Sequence, residues 1–280
     1  MAARDLVDTC TLEVTAKDIP ALAAVAGRIR PGTAISIPYL PREDDDARLA
    51  AARAVRELGF TPMPHLSARR IGSLAALDRF LQRAVADAGV ERCFVIAGDP
   101  PVPAGPFADS AALIGTGLLE RAGIRMVGVG GHPEGHPAMT VAQGWQVLGD
   151  KCRDIQQRGM APLIITQFAF DAGVVLAWLD TLRAQGIGHP VRIGVPGPAS
   201  IPLLARYAAM CGVSASASVL SRYGISIGRL LGTAGPDVFV DRLAAGLAGT
   251  SAPVGLHLFP FGGIARSLDW MERYRLRDGQ

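Results

Sequence analysis

The sequence predicts a (β/α)8 barrel, and three observations carry that expectation. Eight short apolar or β-rich runs recur along the 280 residues, most are separated by a single helix-like stretch, and the first seven begin roughly thirty residues apart, about the length of one βα unit. Near-continuous apolar strands covered by helices imply a parallel sheet, and eight such units in one chain match a closed barrel. A doubly wound sheet would also alternate, but no Gly-x-Gly-x-x-Gly follows the first strand.

In order, the strands are expected at "TLEV" (11–14), "AISIPYL" (34–40), "PMPHL" (62–66), "RCFVIAG" (92–98), "RMVGVGG" (125–131), "PLIITQFAF" (162–170), "VRIGVPG" (191–197) and "VGLHLFPF" (254–261). Helical stretches of mixed charged and Ala/Leu positions lie at 46–59, 74–89, 109–123, 172–186 and 199–211. The 197–254 interval leaves room for extra helices between strands seven and eight. With 49% hydrophobic residues, residues 1–280 can bury one large core, and a single domain is expected.

Net charge is only +3 and the one basic cluster is "ARR" at 68–70, so the electrostatic footprint of a nucleic-acid binder is missing and small-molecule partners are expected. Cys10, Cys93, Cys152 and Cys211 are scattered without metal-binding spacing, which suits buried thiols in a reducing cytoplasm. No apolar run approaches the ~20 residues of a membrane span, and "MAARDLVDTC" carries no secretory h-region. A soluble, unexported protein is expected.

Barrels build their sites where strands end, and this sequence puts polar residues there. Glu13 lies in the first strand, His65 ends the third, Asp99 follows the fourth in "AGDPP", His132, Glu134 and His136 follow the fifth, Gln167 interrupts the sixth and His257 lies inside the eighth. Each has a bland reading. Glu13 could be an edge residue; inside the barrel, desolvation would raise its pKa and suit general-acid work. Asp99 could be a turn former, Gln167 could satisfy buried backbone, and His257 reads as a core histidine.

"GGHPEGHP" (130–137) resembles a broken zinc motif, but Pro133, Gly135 and Pro137 prevent the helix that would align two histidines. No metal is expected; a rigid, ligand-facing turn is.

At these strand ends the chain resembles the methylenetetrahydrofolate reductases. "TLEV" stands where that family has its strand-one glutamate, "PHLS" resembles PHLT, "FVIAGDPP" resembles ALRGDPP, "GGHPEGHP" resembles the YPxxHP segment, "IITQFAFD" is similar to ITQFFFD, and "GLHLFPFGG" resembles GLHFYTLNR. The ordered set spans essentially the whole chain. The resemblance implies interconversion of 5,10-methylenetetrahydrofolate and 5-methyltetrahydrofolate by hydride transfer through FAD, with NAD(P)H as electron donor and a homo-oligomeric state. Glu13 would be the general acid, Asp99 would contact pterin and tune the flavin, and Gln167 would hydrogen-bond the pterin. Tyr39, His65, Gly98, His132, His136 and Lys151 fall at flavin-side positions.

The departures are equally specific. "EFFPP" is here "EVTAK", the second strand reads "IPYLP" where a hydroxyl would meet the flavin phosphates, the family tyrosine is His132, and the arginine before "GD" is Ala97. Only Lys151 and Arg153 stand in the helix that would carry the basic series, and "LNR" is "FGG", leaving Arg266 as the substitute for the arginine near the folate tail. Two alternatives follow: direct hydride transfer from a nicotinamide without flavin, or a non-redox folate-binding barrel serving a methyltransferase.

Overall fold

The structure, a computed structural model, describes residues 3–214, 223, 233–248 and 253–277. Its frame is a closed parallel barrel of eight strands: β1 (Thr11–Glu13), β2 (Ala34–Ile37), β3 (Thr61–Ser67), β4 (Arg92–Ile96), β5 (Met126–Gly131), β6 (Ala161–Phe168), β7 (Val191–Pro196) and β8 (Val254–Phe259). Every strand pairs in parallel with its sequence neighbours, and β8 closes on β1 through the Thr11–His257 register. All eight expected strands form, and the apolar content that predicted burial on both faces is spent there.

The helices follow the strands as α1 (Ala3–Asp8), α2 (Ile19–Ala24), α3 (Asp45–Glu57), α4 (Leu74–Ala88), α5 (Ser110–Ile114), α6 (Leu118–Ala122), α7 (Val141–Gln157), α8 (Ala172–Ala184), α9 (Ile201–Cys211), α10 (Asp237–Gly246) and α11 (Ile264–Arg277). The expected helix over 109–123 is two short ones, because Gly117 adopts φ +76° and turns the chain between them. α7 begins with a capping box in which Thr140 and Gln143 satisfy each other's backbone N–H groups. α10 is an added helix between β7 and β8; 215–222, 224–232 and 249–252, also in that interval, lie outside the described residues.

Two cores result. The larger lies between strands and helices, and the smaller plugs the barrel interior with Met63, Phe94, Leu163 and Ile165. Strand alternation places Thr11, Glu13, Ser36, His65, Gly130 and His257 on the same inner face as this plug. Beyond the plug, at the strand C-termini, the interior becomes polar. β1 and β5 stand opposite each other in the barrel, so Glu13 and Gly130 face across the mouth. None of the described helices is long and apolar enough to cross a membrane.

Candidate functional site

Glu13 is the last residue of β1, and its carboxylate is the centre of the polar mouth. His65 Nε2, from β3, lies 3.4 Å from Glu13 Oε2, and His257 Nε2, from β8, lies 3.8 Å from the same oxygen. Neither Nε2 has a well-formed hydrogen bond, nor does Ser36 Oγ on the neighbouring strand, which stands level with Glu13. Three buried polar atoms without partners around one carboxylate form a site chemically prepared for a polar ligand.

The second nitrogen of His257 is fixed from below. Thr11 Oγ1 lies 2.8 Å from Nδ1 and donates to the Leu256 carbonyl at 3.3 Å. Thr11 thereby fixes the ring orientation and leaves Nε2 facing the Glu13 carboxylate. His257 is fully buried, as its sequence reading required, but it is also a neighbour of Glu13, which that reading missed.

The expected pKa shift of Glu13 is corrected in direction. Burial raises it, but the polar contact with His257 and the fields of His65 and His257 outweigh burial and leave the carboxyl below its ordinary value of 4.5. His65 is also held away from its protonated form: burial first, with His257 and Arg48 adding to it, pushes its pKa down to about 4. At neutral pH the pair is therefore a carboxylate beside a neutral imidazole.

Asp99 does not join Glu13. It is 71% exposed, and Arg70 Nε and Nη2 both donate to its Oδ1, at 3.1 and 2.5 Å. Both residues sit on the rim, Arg70 at the turn after β3 and Asp99 in the turn after β4 that Gly98 shapes with φ +88°. Tyr39 lies between two guanidiniums, with Arg48 at 3.8 Å and Arg70 at 5.7 Å from the ring centroid. Gln167 lies near the end of β6 beside an irregularity in its pairing with β7, its Oε1 accepting from Phe168 N at 3.0 Å.

The "HPEGH" turn folds over the end of β5. His132 and His136 meet edge to face with centroids 4.7 Å apart, and Ala138 N donates to His136 Nδ1. Burial lowers the pKa of both, His132 to about 4, with the Lys151 charge contributing to each. Lys151, on α7, is buried and donates to Ser110 Oγ at 3.4 Å. Arg266 stands exposed in the first turn of α11. Among the described residues no three His, Cys, Asp or Glu side chains gather as a metal-ligand set.

Sequence reasoning thus located the mouth but missed Thr11, Ser36, Arg48 and Arg70. Their only local signal is strand phase for the first two, which lie in step with Glu13 and His257.

The likenesses to known proteins agree with this architecture. A protein from Clostridium thermocellum, solved with two copies of 5-methyl-5,6,7,8-tetrahydrofolic acid, superposes with a TM-score of 0.65 at 12% identity, covering 96% of this chain and 95% of that one. Dihydropteroate synthase from Thermus thermophilus, in complex with 6HMPPP, gives 0.52 at 14% identity over 94% of this chain and 92% of its own. A further structure of that enzyme gives 0.51 at 13% identity over 95% of each chain. At such identities these neighbours show the barrel fold alone. The sequence profile of methylenetetrahydrofolate reductase matches residues 33–227, from the start of β2 past α9. With that match running through more than half of its length, the chain belongs to the methylenetetrahydrofolate reductase family.

Proposed function

We propose that the chain interconverts 5,10-methylenetetrahydrofolate and 5-methyltetrahydrofolate, with Glu13 moving the proton. The observation that carries this reading is the ionised Glu13 carboxylate set among the partnerless His65, His257 and Ser36 atoms at the barrel mouth. The folate bound by the Clostridium thermocellum neighbour supports the ligand class.

In the oxidative direction a hydride leaves the N5 methyl group, and the folate itself becomes an N5 iminium cation. An ionised carboxylate nearby stabilises that cation electrostatically. N10 then closes on the new carbon and releases its proton. Glu13 accepts it, with His257, held in orientation by Thr11, beside the carboxylate. Gln167 and the exposed side of Asp99 supply donor and acceptor groups for the pterin edge.

FAD is the proposed redox cofactor, and one observation fits it. Lys151 carries a buried ammonium with a single long hydrogen bond to Ser110 and no ion pair among the described residues, which suits a phosphate. Lys151 would hold the diphosphate, and Tyr39, His65, Gly98, His132 and His136 would line the flavin side. Bound flavin supplies reversible hydride acceptance, with NAD(P)H as the external electron partner. Arg266 is proposed to meet the folate tail.

The test is anaerobic mixing of FAD-supplied protein with 5-methyltetrahydrofolate, following the flavin band and the folate products. Bleaching with formation of the methylene compound is expected. A protein that binds the folate but leaves it unoxidised, with or without added flavin or NAD(P)+, overturns the reading.

A further inference from the structure

The two ends of the barrel lumen differ in chemistry. Below the hydrophobic plug, at the N-terminal ends of the strands, two guanidiniums enter the inner face. Arg92 opens β4, level with Met126 of β5 and two positions below the plug residue Phe94. Arg192 is the second residue of β7, level with the plug residue Ile165 on one side and with Gly255 of β8 on the other. Strand alternation therefore turns both side chains inward. Gly255 makes the room that Arg192 needs. A Cβ there would overlap Nη1 and stand 3.0 Å from Cζ and 3.5 Å from Cδ, so the guanidinium lies across the bare backbone of β8.

Neither charge is answered from within. Among the described residues no ion pair or side-chain hydrogen bond reaches Arg92 or Arg192. The acids that precede β4 and β1 are engaged elsewhere, Glu91 with Arg125 at 3.6 Å and Asp8 with Arg275 at 2.7 Å. Residues 249–252, outside the described set, lead into β8 and contain no Asp or Glu. Burial lowers the pKa of Arg192, with the Cys10 thiol opposing and the Arg92 charge adding to burial. The two cations repel each other where Arg192 has already lost much of its water.

We propose that this floor of the barrel is an anion site, in which Arg192 and Arg92 together take a small tetrahedral oxyanion of the phosphate class. Arg192 supplies a planar fork held flat against β8, and Arg92 supplies the second charge from three strands away. A bound oxyanion offsets the repulsion and stabilises the fold by mass action. The plug stands between this floor and the Glu13 mouth, and the inference does not rest on the folate reading.

The experiment is titration calorimetry and urea unfolding of the full-length protein with inorganic phosphate, against sodium chloride at matched ionic strength. Saturable phosphate binding is expected, with an unfolding midpoint that rises with phosphate and not with chloride. Arg192→Gln and Arg92→Gln should each weaken phosphate at least about tenfold. Without phosphate, each should unfold at the wild-type midpoint or above it, because one of two repelling charges is gone; a purely structural arginine would lower it. Lys151→Gln separates the floor from the other buried cation, and phosphate binding should persist in it. Absence of saturable binding, binding that survives both arginine substitutions, binding lost in Lys151→Gln alone, or a lowered phosphate-free midpoint in both arginine variants overturns the proposal. Folate turnover is not the readout, so failure here and failure of the reductase reading are separate results.

Discussion

Arg48 of α3 donates a hydrogen bond through Nη2 to the backbone carbonyl of His65, tying a helix to the strand end that carries a Glu13 neighbour. The guanidinium is only 2% exposed, lies between the Tyr39 and Phe80 rings, and is paired with Asp45 at 3.0 Å. Burial lowers its pKa, with Asp45 and Tyr39 opposing. Arg48→Met keeps much of the volume but frees the His65 carbonyl and Asp45. The expected cost is about 2–4 kcal/mol in urea unfolding, with Arg48→Lys intermediate because it keeps charge and loses the planar stack. Wild-type stability in Arg48→Met would show that the contact contributes nothing net.

Glu13→Gln should lower folate turnover by a factor of about 10² to 10⁴ while folate binding, read by calorimetry, changes little. The pH dependence follows from the depressed pKa of Glu13. As a base it is already ionised above its ordinary value of 4.5, so its limb in the oxidative direction lies below that value and the rate is flat through neutrality. As an acid in the reductive direction its protonated fraction falls about tenfold per pH unit above its pKa. Steady-state profiles in both directions separate the two roles, and a rise in reductive rate with pH would remove Glu13 from both.

Acid should destabilise the fold in a defined window. His65 and His132 are depressed to about 4 from an ordinary 6.5, so between those values the unfolded chain binds protons that the folded chain refuses. Stability from both is fully present above pH 6.5 and is lost as pH falls toward 4. Each such histidine contributes a slope of about 1.4 kcal/mol per pH unit inside the window. Urea midpoints across the range from neutrality to the lower pKa measure it, and His65→Leu should flatten the slope by about one proton.

Gly194 of β7 lies under the irregularity that presents Gln167. A Cβ there would stand 2.5 Å from the Thr166 carbonyl and 2.7 Å from Phe168 N. Both are backbone atoms and cannot rotate away. Gly194→Ala should cost about 1–3 kcal/mol and displace Gln167, raising KM for folate more than it lowers kcat. Unchanged KM would place Gln167 outside the pterin contacts.

The barrel was legible because each strand advertises itself locally, through apolar runs such as "VRIGVPG" followed by a turn. Glu13 was legible as a candidate for the same reason, being a carboxylate in the middle of "TLEV". Its protonation was not. The partners that lower its pKa, His65 and His257, arrive from β3 and β8 only when the barrel closes, and desolvation alone points the wrong way. Asp99 shows the same limit, since its charge partner Arg70 sits in the turn after the preceding strand. The single helix expected over 109–123 failed at Gly117, where a left-handed residue interrupts an otherwise helical pattern.

The mouth of the barrel is lopsided. Glu13, His65 and His257 crowd one wall, while on the opposite wall Gly130 contributes no side chain of its own and the His132 ring lies 3.3 Å from where its Cβ would stand. A flat ring lying across such an opening has no mirror-equivalent way to sit, because turning it over would bring its edge groups to the wrong partners. On the proposed function, the two faces of a bound pterin would thereby be distinguished before any bond changes, and the hydrogens of a one-carbon unit would become stereochemically distinct. Handedness in the product would then originate in the absence of one side chain as much as in the presence of the acidic one.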